Sequence, residues 1–350
     1  MRGRHLRWLA PLAGALAAGV IVAAVSLGGS SKPAATRGAT TVVTGTDAVR
    51  PSSAALAFQQ SVTAVVKELS PSVVQIQNPQ GLGSGIVFDA KGDIVTNNHV
   101  VTGGGPYKVT AGRHTYAAQL VGSFAPDDLA VVHVSGAGLR PASFANSHAL
   151  QVGDIAIAIG NPLGLRSSVT EGIVSAFRQG VSEGNDVALP SMIQTSAPIN
   201  PGNSGGALAD IEGRVIGIPT LAATDPELGS AAPGIGFAIP SDLVKQIATQ
   251  IIEHGHVVNS HRAYLGVQIG ETNGAGVYIG SVAAGGPAAK AGVEPGDVIT
   301  AVNGKATPTI DDLTSVLSEL KPGTTVRVRL LTQSGARRTV RLTLGTYPGS

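Results

Sequence analysis

The serine in the run Asn200-Pro201-Gly202-Asn203-Ser204-Gly205-Gly206 is the residue of this chain best placed to do chemistry. A serine hydroxyl is a weak nucleophile unless a base takes its proton and a nearby site stabilises the charge that its attack creates. Glycines around it let the backbone approach a reacting carbonyl and let successive amides point into one concavity. The run therefore predicts Ser204 as a nucleophile and the amides of Gly202, Asn203 and Ser204 as an oxyanion hole.

Two other structures could carry the same run, a nucleophile elbow and an ordinary turn. An elbow needs a strand before the serine and a helix after it. Pro198 and Pro201 argue against a central strand before it. The apolar segments 207–209 and 215–218 flank a polar turn, which indicates a hairpin after it. The elbow is excluded on context, whereas the ordinary turn is weakened only by finding a base elsewhere in the chain.

His99 and Asp128 supply that base and its orienting acid. His99 follows a predicted β-hairpin whose second strand ends in a pair of asparagines. Asp128 stands directly before the apolar run 129–132, where a carboxylate can be buried and can hold an imidazole. Asp127 is the competing acid, and Asp128 is preferred because it adjoins the apolar run. The order His99, Asp128, Ser204 is that of chymotrypsin-type enzymes and differs from the orders in subtilisins and α/β-hydrolases.

Six ordered segments of the chain, within about Ser70 to Leu344, resemble the HtrA (DegP-like) family of PDZ-containing serine proteases: 96–101, 128–131, 157–164, 170–175, 200–206 and 234–240. The resemblance implies a mainly β protein, in which a chymotrypsin-like double β-barrel of two six-stranded barrels precedes a C-terminal PDZ domain. It places a catalytic triad on His99, Asp128 and Ser204, with no cofactor and no metal. It also implies homo-oligomers, as trimers packed through the N-terminal segment, where Phe58 is a candidate contact.

Two departures from the family's pattern fall close to the active-site run. Ser196 stands where the family usually has an aspartate, and Pro219 stands where it often has an asparagine. The resemblance implies a pocket for small aliphatic substrate side chains, formed by Ile199, Ile218, Pro219 and Thr220. Because proline has no N–H to donate, Pro219 puts the expected pairing of this strand with a substrate backbone in doubt.

The leader of the chain predicts a membrane anchor. Residues 1–7 carry three arginines and form a basic cytoplasmic segment, and the uncharged residues 8–27 form a transmembrane signal anchor. Twenty residues of helix span about 30 Å, which is the thickness of a bilayer core. Positive residues stay inside, so the body is expected on the extracytoplasmic side of the cell membrane. A cleaved signal peptide is the alternative, and residues 28–53 are predicted to be a disordered linker.

Composition excludes several classes of function. The chain has 350 residues and no cysteine, which rules out disulfides and cysteine-ligated metal sites. Its net charge is only +2, with arginines clustered at the start, so there is no case for nucleic-acid binding.

The remaining sequence divides into two predicted bodies. Residues 54–255 show short apolar strands between turns, as a trypsin-like serine protease domain requires, and end in a helix from an N-cap at Ser241 to Gly255. After a linker, 256–262, the segment 263–347 is predicted to be the PDZ domain. There the amides of Leu265, Gly266 and Val267 are expected to bind a peptide carboxylate. A capping box at Thr309 and Asp312 predicts a helix in which Leu313, Val316 and Leu317 line the groove or belong to the core.

These features predict an ATP-independent serine endopeptidase of the cell envelope that cleaves unfolded or damaged proteins, with a PDZ domain that binds C-terminal peptides and regulates activity. A catalytically silent peptide-binding or holdase protein is one alternative. A site-specific regulatory protease with one envelope substrate is another.

Overall fold

The computed structural model describes residues 52–161, 168–178, 181–182, 188–189, 191–200, 202–225, 230–272 and 275–348. The chain divides into two compact units, Met1–Arg50 and Pro51–Ser350, and every described residue belongs to the second. The predicted basic segment, signal anchor and all but the last two residues of the predicted linker lie outside the described residues. Within the described ranges, no helix combines the length and the apolar character that crossing a bilayer requires.

A helix that the sequence did not reveal opens the described chain. Helix α1 (Ser53–Leu69) begins where Ser52 Oγ accepts a hydrogen bond from the amide of Ala55 at 3.2 Å. Of its residues only Val65 and Leu69, near its C-terminal end, are buried. Phe58, in the exposed first half, keeps 41% of its surface accessible. Helix α1 thus exposes the apolar side chain of Phe58, the residue expected to form a subunit contact.

Six antiparallel strands close the first barrel: β1 (Val73–Asn78), β2 (Gly81–Val87), β3 (Asp93–Thr96), β4 (Tyr107–Ala111), β5 (His114–Phe124) and β6 (Leu129–His133). Their order around the barrel is β1-β2-β3-β6-β5-β4. The short helix α2 (Asn98–Val101) follows β3. Inward side chains such as Ile76, Ile94 and Val132 are fully buried in an aliphatic cluster. This packing holds the end of β3 and the start of β6 in fixed register.

The second barrel is also closed and six-stranded. The strands that follow in the chain are β7 (Ile155–Gly160), β8 (Ser168–Arg178), the short antiparallel pair β9 (Val181–Ser182) and β10 (Ala188–Leu189), β11 (Met192–Thr195), β12 (Ala207–Ala209), β13 (Val215–Asp225) and β14 (Ser230–Pro240). The barrel order is β11-β14-β13-β12-β7-β8. The expected pair of six-stranded barrels is confirmed.

Helix α3 (Ser241–His254) closes the barrel region and corrects one expectation. Ser241 is the first helical residue and not the N-cap, because the extended residue that precedes the helix is Pro240. The Ser241 hydroxyl donates to the carbonyl of Ala145 at 3.0 Å. The other end agrees with the sequence, since Gly255 takes the left-handed conformation with φ 76°. Ile247 and Ile251 are buried against the barrels, so α3 is anchored by its apolar face and by this hydroxyl.

The C-terminal domain is a sheet with two helices: β15 (Ala263–Tyr264), β16 (Val267–Glu271), β17 (Val277–Val282), α4 (Pro287–Lys290), β18 (Val298–Val302), β19 (Lys305–Ala306), α5 (Ile310–Ser318), β20 (Thr325–Leu331), β21 (Arg337–Thr343) and β22 (Gly345–Thr346). The main sheet runs β16-β17-β18-β20-β21. Both halves of the predicted capping box at Thr309 and Asp312 are present at the start of α5. Leu313 and Val316 are buried in the core of this domain, and Leu317 packs against it.

The chain joins this domain to the barrels through a buried ion pair. Arg262 Nη1 donates to Asp127 Oδ1 at 2.7 Å, and it also donates to the carbonyl of Pro126. The amide of Tyr347 donates to the carbonyl of Arg262 at 2.8 Å. The Tyr347 ring stands edge-on to Phe124 at the end of β5, with centroids 6.2 Å apart. The entry and the exit of the C-terminal domain are therefore fixed side by side, next to the residue that precedes Asp128.

Candidate active site

Strand pairing brings His99 and Asp128 together. β3 and β6 are antiparallel neighbours in which Thr96 pairs with Ala130. His99, in helix α2, therefore follows this pair on one strand, and Asp128 precedes it on the other. The amide of Asn98 donates to the carbonyl of Asp128 at 3.1 Å and closes the junction.

The Asp128 carboxylate holds both the backbone and the ring of His99. One oxygen, Oδ1, accepts from the His99 amide at 3.0 Å, and the other, Oδ2, lies 2.9 Å from His99 Nδ1. An ionised carboxylate only accepts, so Nδ1 carries the proton and Nε2 of a neutral ring is the basic nitrogen. The Asp128 side chain is 3% exposed and that of His99 is 47% exposed, so the acid is buried while the base reaches the surface.

Asp128 adopts a backbone conformation that few residues other than glycine take. Its φ is 48° and its ψ is 43°, in the left-handed region. Such a conformation costs about 1–3 kcal/mol and persists only where the surroundings enforce it. Here the carboxylate and carbonyl of Asp128 are both held by hydrogen bonds from the segment 97–99.

Thr220 is a further part of this arrangement that sequence reasoning assigned differently. It was expected in the substrate pocket, but its side chain is buried and its hydroxyl donates to Asp128 Oδ2 at 2.5 Å. Thr220 therefore bonds to the same oxygen of the Asp128 carboxylate as the His99 ring does. No local sequence pattern predicts this contact, because Thr220 is on β13 of the second barrel and Asp128 directly precedes β6 of the first.

Ser204 lies in the loop between β11 and β12, next to Thr220. Its Oγ donates to the carbonyl oxygen of Thr220 at 3.0 Å. The carbonyl of Ser204 accepts from the amide of Ser84, in the first barrel, at 3.0 Å. The following amide, of Gly205, donates to the carbonyl of Pro219 at 3.0 Å. Hydrogen bonds to both barrels thus hold the nucleophile candidate at their junction.

Ser84 is a site residue that the sequence did not single out. Its fully buried hydroxyl donates to the carbonyl of Gly202 at 2.6 Å and accepts from the amide of Asn161 at 2.8 Å. One strand of the first barrel therefore fixes the loop that carries Ser204. The run Gly83-Ser84-Gly85 is the only hint of it in the sequence.

Two of the three expected oxyanion donors are free to serve. The amides of Gly202 and Ser204 donate to no other residue that the structure describes. The amide of Asn203 instead donates to the carbonyl of Asn200 at 2.9 Å, so this expectation is corrected in the present conformation. Gly202 has a φ of 104°, which only glycine adopts readily and which orients the loop.

Gly205 is required where the loop meets the first barrel. Its φ is 78°, and a Cβ placed there would lie 2.2 Å from the carbonyl oxygen of Ser84. No side chain fits that space without moving the backbone that fixes Ser204. The glycines of the run therefore serve close packing as well as dihedral freedom.

The residues expected in the substrate pocket differ in position. Ile218 is fully buried in the main hydrophobic cluster, which corrects its assignment to a pocket wall. Pro219 pairs with Ala238 of β14, and its carbonyl accepts from the amide of Gly205 in the active-site loop. Ile199 is 7% exposed and packs against Gly236, beside the active-site loop.

Ser196, which replaces the family's usual aspartate, takes part in sheet bonding. Its Oγ accepts from the amide of Ile173 at 3.0 Å, and its amide donates to the carbonyl of Ile173 at 3.1 Å. The segment leading to the active-site loop is thereby joined to β8.

The expected carboxylate loop of the C-terminal domain opens into a cavity of about 1190 Å³. The amides of Leu265 and Gly266 donate to no described residue, and the φ of 81° at Gly266 suits only glycine. Leu313 and Leu317 of α5 line this cavity, which also reaches Leu243 and other residues of the barrels. A peptide held here would contact both parts of the protein.

Asp242, which lines this cavity, has a pKa below its usual value. Burial raises the pKa of Asp242, but hydrogen bonds from the Lys245 ammonium, the Ser147 hydroxyl and the His148 amide outweigh it and lower the pKa overall.

Comparison with known families agrees with both parts of the fold. The trypsin-like peptidase domain matches residues 83–218, and the PDZ domain matches residues 263–344.

Curated proteins with related sequences are serine proteases. Serine protease PepD from Mycobacterium tuberculosis is 41% identical over 310 residues, which cover 81% of this chain and 66% of that protein. Serine protease Do-like HtrA from Bacillus subtilis is 36% identical, over 81% of this chain and 72% of that protein. The periplasmic pH-dependent serine endoprotease DegQ from Escherichia coli is 39% identical, over 77% and 61%. The chain spans less than two thirds of the length of PepD and of DegQ.

Solved structures share the fold. The serine endoprotease from Yersinia pestis is 34% identical with a TM-score of 0.56, and the alignment covers 82% of this chain and 98% of that one. The HtrA-type protease AlgW, solved with a decapeptide, is 30% identical with a TM-score of 0.57, over 82% and 99%.

Proposed function

Because the chain belongs to the HtrA (DegP-like) family of PDZ-containing serine proteases, we propose that it is a serine endopeptidase that acts on unfolded proteins of the cell envelope without ATP. We assign the catalytic triad to His99, Asp128 and Ser204. The oxyanion hole comprises the amides of Gly202 and Ser204.

The hydrogen bond between Asp128 and His99 is the observation that carries this proposal. In the proposed reaction Ser204 Oγ attacks the scissile carbonyl carbon, His99 Nε2 takes its proton, and the imidazolium then donates that proton to the leaving amine. Asp128, 2.9 Å from Nδ1, fixes the tautomer and stabilises the charged ring. Each oxyanion donor contributes about 3 kcal/mol to stabilising the transition state.

Cleavage of unfolded casein tests the assignment. The body beginning at Ser52 is compared with Ser204→Ala and with a control, Ser334→Ala, an exposed serine in the turn between β20 and β21 of the C-terminal domain. Ser204→Ala should lose cleavage completely while the control retains it. Activity should also fall from pH 8 to pH 5, because a base must be neutral to accept a proton. A flat profile over that range contradicts the role of His99.

A catalytically silent peptide-binding or holdase protein is the second candidate, and the position of the Ser204 hydroxyl favours it. The hydroxyl donates to the Thr220 carbonyl, which cannot act as a general base. A fluorophosphonate probe separates the two functions, since it labels only an activated serine. Labelling of Ser204, with or without a C-terminal peptide, supports the protease. Absence of both labelling and cleavage, with suppressed aggregation of unfolded protein, supports the holdase.

The breadth of the substrate range is a separate part of the proposal. Substrate trapping with Ser204→Ala in an envelope extract distinguishes general quality control from site-specific regulation. Many captured proteins support the former, and one dominant partner supports the latter.

We propose further that the C-terminal domain binds peptide C-termini. The free amides of Leu265 and Gly266, together with that of Val267, bind the carboxylate, and Leu313 and Leu317 contact the last side chain. A fluorescent peptide with a free apolar C-terminus should bind, and the same peptide with an amidated end should not. Stimulation of casein cleavage by the free peptide tests regulation.

We also propose that residues 8–27 anchor the protein in the membrane and that the protein forms trimers. Alkaline carbonate should leave the full chain in the membrane fraction if residues 8–27 span the bilayer. Sedimentation of the body should show trimers, and Phe58→Asp should dissociate them if this exposed side chain is a subunit contact.

A further inference from the structure

Four exposed arginines cover one face of the C-terminal sheet. Arg327 and Arg329 lie on β20, and Arg337 and Arg341 lie on the neighbouring strand β21. Alternate residues of β20, such as Val328, are buried in the core with α5, so these arginines point away from α5. We call this set of four arginines the basic face.

The basic face carries positive charge that the domain does not neutralise. Arg327 lies directly opposite Arg341 in the antiparallel register, and like charges in that position destabilise a sheet. None of the four forms an ion pair or a side-chain hydrogen bond with any residue that the structure describes. By contrast, Arg338 on the other side of β21 pairs with Asp297 at 2.8 Å.

A small cavity of about 260 Å³ lies on this face. It is lined by Arg327 and Arg329 together with Thr339 and the turn Asn303-Gly304. Asn303 Oδ1 accepts from the backbone amide of Arg327 at 2.9 Å, so the turn is fixed against the strand. Two arginines and a threonine around one recess offer the donors that a phosphate group prefers.

Protection of a sheet edge explains only part of this charge. Edge strands often carry charged side chains that prevent pairing with other chains, and β21 is an edge. β20 is not, because it lies between β18 and β21. Arg327 and Arg329 therefore need another explanation.

We propose that the basic face binds the phosphates of an anionic phospholipid surface. Arginine recognises phosphate through paired N–H donors, and alternate residues on two adjacent strands form a flat array that matches a plane of headgroups. Residues 325–343 contain no aromatic side chain on which unpaired bases could stack, which argues against single-stranded nucleic acid. The turn 332–335 has no large apolar side chain, so binding is electrostatic and reversible.

The orientation of the basic face makes lipid binding compatible with peptide binding by the same domain. The arginines and α5 lie on opposite sides of the sheet, so the lipid-bound domain keeps its peptide groove accessible. Lipid binding requires only the C-terminal domain and no proteolysis, so its test is independent of the test of the triad.

Vesicle binding tests the proposal with the body beginning at Ser52, which excludes the leader as a cause of binding. Sedimentation is measured with vesicles containing 30% phosphatidylglycerol and with neutral phosphatidylcholine vesicles. Each arginine near an anionic surface contributes about 1 kcal/mol, so Arg327→Gln/Arg341→Gln should weaken binding roughly 30-fold. The control Lys108→Gln/Arg113→Gln removes the same charge from exposed positions on the β4–β5 hairpin of the first barrel.

The expected result is binding only to anionic vesicles, release by about 0.5 M salt, and a loss confined to the arginine variant. The arginine variant should unfold at an equal or higher temperature than the parent, because a like-charge pair has been removed. Absence of binding, or an equal loss in the two variants, overturns the proposal. Tighter binding of a single-stranded oligonucleotide than of vesicles overturns the choice of lipid.

Discussion

Replacement of Arg262 by methionine tests how much the buried ion pair between the barrels and the C-terminal domain contributes to stability. The Asp127 side chain is fully buried, and its Oδ2 accepts no hydrogen bond from a described residue. Arg262 Nη1, 2.7 Å from Oδ1, is its charged partner. Methionine keeps the apolar stem of the arginine and removes the charge, so Asp127 becomes an uncompensated buried carboxylate. Breaking a buried pair in this way costs about 3–5 kcal/mol.

The pH dependence of this loss identifies its cause. Burial raises the pKa of the Asp127 carboxyl above its usual value, and the Arg262 guanidinium beside it limits that rise. For an acid with a raised pKa, the stabilisation is present below the pKa of the unfolded state and is lost as the pH rises through the folded-state pKa. Removing Arg262 raises the folded-state pKa further. The loss of unfolding free energy in the variant should therefore be largest at pH 8 and smaller at pH 5. The difference is about 1.4 kcal/mol for each pH unit above 5 by which the substitution raises the pKa of Asp127.

Urea unfolding followed by circular dichroism at pH 8 and pH 5 measures both effects. The double variant Arg262→Met/Asp127→Leu is the matched control, because apolar side chains in place of a buried pair are often neutral or stabilising. It should recover most of the stability at pH 8 and lose the pH dependence. A single variant that loses less than about 1 kcal/mol at pH 8, or whose deficit is unchanged at pH 5, refutes the reasoning.

Three further substitutions test the site and the peptide loop. Gly205→Ala should abolish cleavage, since its Cβ would lie 2.2 Å from a backbone oxygen, whereas Gly213→Ala, with a similar φ of 79° and open space, should leave kcat/KM within twofold. Thr220→Val should lower kcat about 10- to 100-fold with little change in KM, because it removes a hydrogen bond to the charged Asp128, worth about 1.5–3 kcal/mol; Thr220→Ser should restore most of it, and an unchanged kcat would contradict the role. Gly266→Ala should abolish binding of a C-terminal peptide in a fluorescence titration without affecting unstimulated casein cleavage, since its φ of 81° strains any side chain.

The pairing of His99 with Asp128 could be predicted because it leaves local signals, whereas the two-barrel architecture was predicted from the family resemblance. A polar stop after a strand marked His99, and an acid at the head of an apolar strand marked Asp128. Antiparallel pairing of β3 with β6 then joined the two, as the chymotrypsin-type order requires.

The supporting contacts could not be predicted, because they join residues far apart in the chain. Ser84 reaches Gly202 across 118 positions, and Thr220 reaches Asp128 across 92. Ser241 shows the limit of local rules, since the helix begins one residue earlier than expected and the hydroxyl bonds to a distant carbonyl, that of Ala145. Which amides of the active-site loop point outwards likewise depends on the turn formed by Asn200 and Asn203.

The chain enters and leaves the C-terminal domain at adjacent points, so a small rotation at this junction gives a larger displacement at the far edge of the domain. The backbone bond between Tyr347 and Arg262, with the ring contact to Phe124, fixes one short base of the domain, and α5 lies against β9 and β10 at a second place. A domain of this size is about 25–30 Å across, so a turn of about 5° at that base displaces the far edge by about 2–3 Å. Conversely, a force applied at the far edge acts on the base with a long arm. Because Asp127 lies at that base, such a force acts on the residue next to Asp128, the proposed acid of the triad.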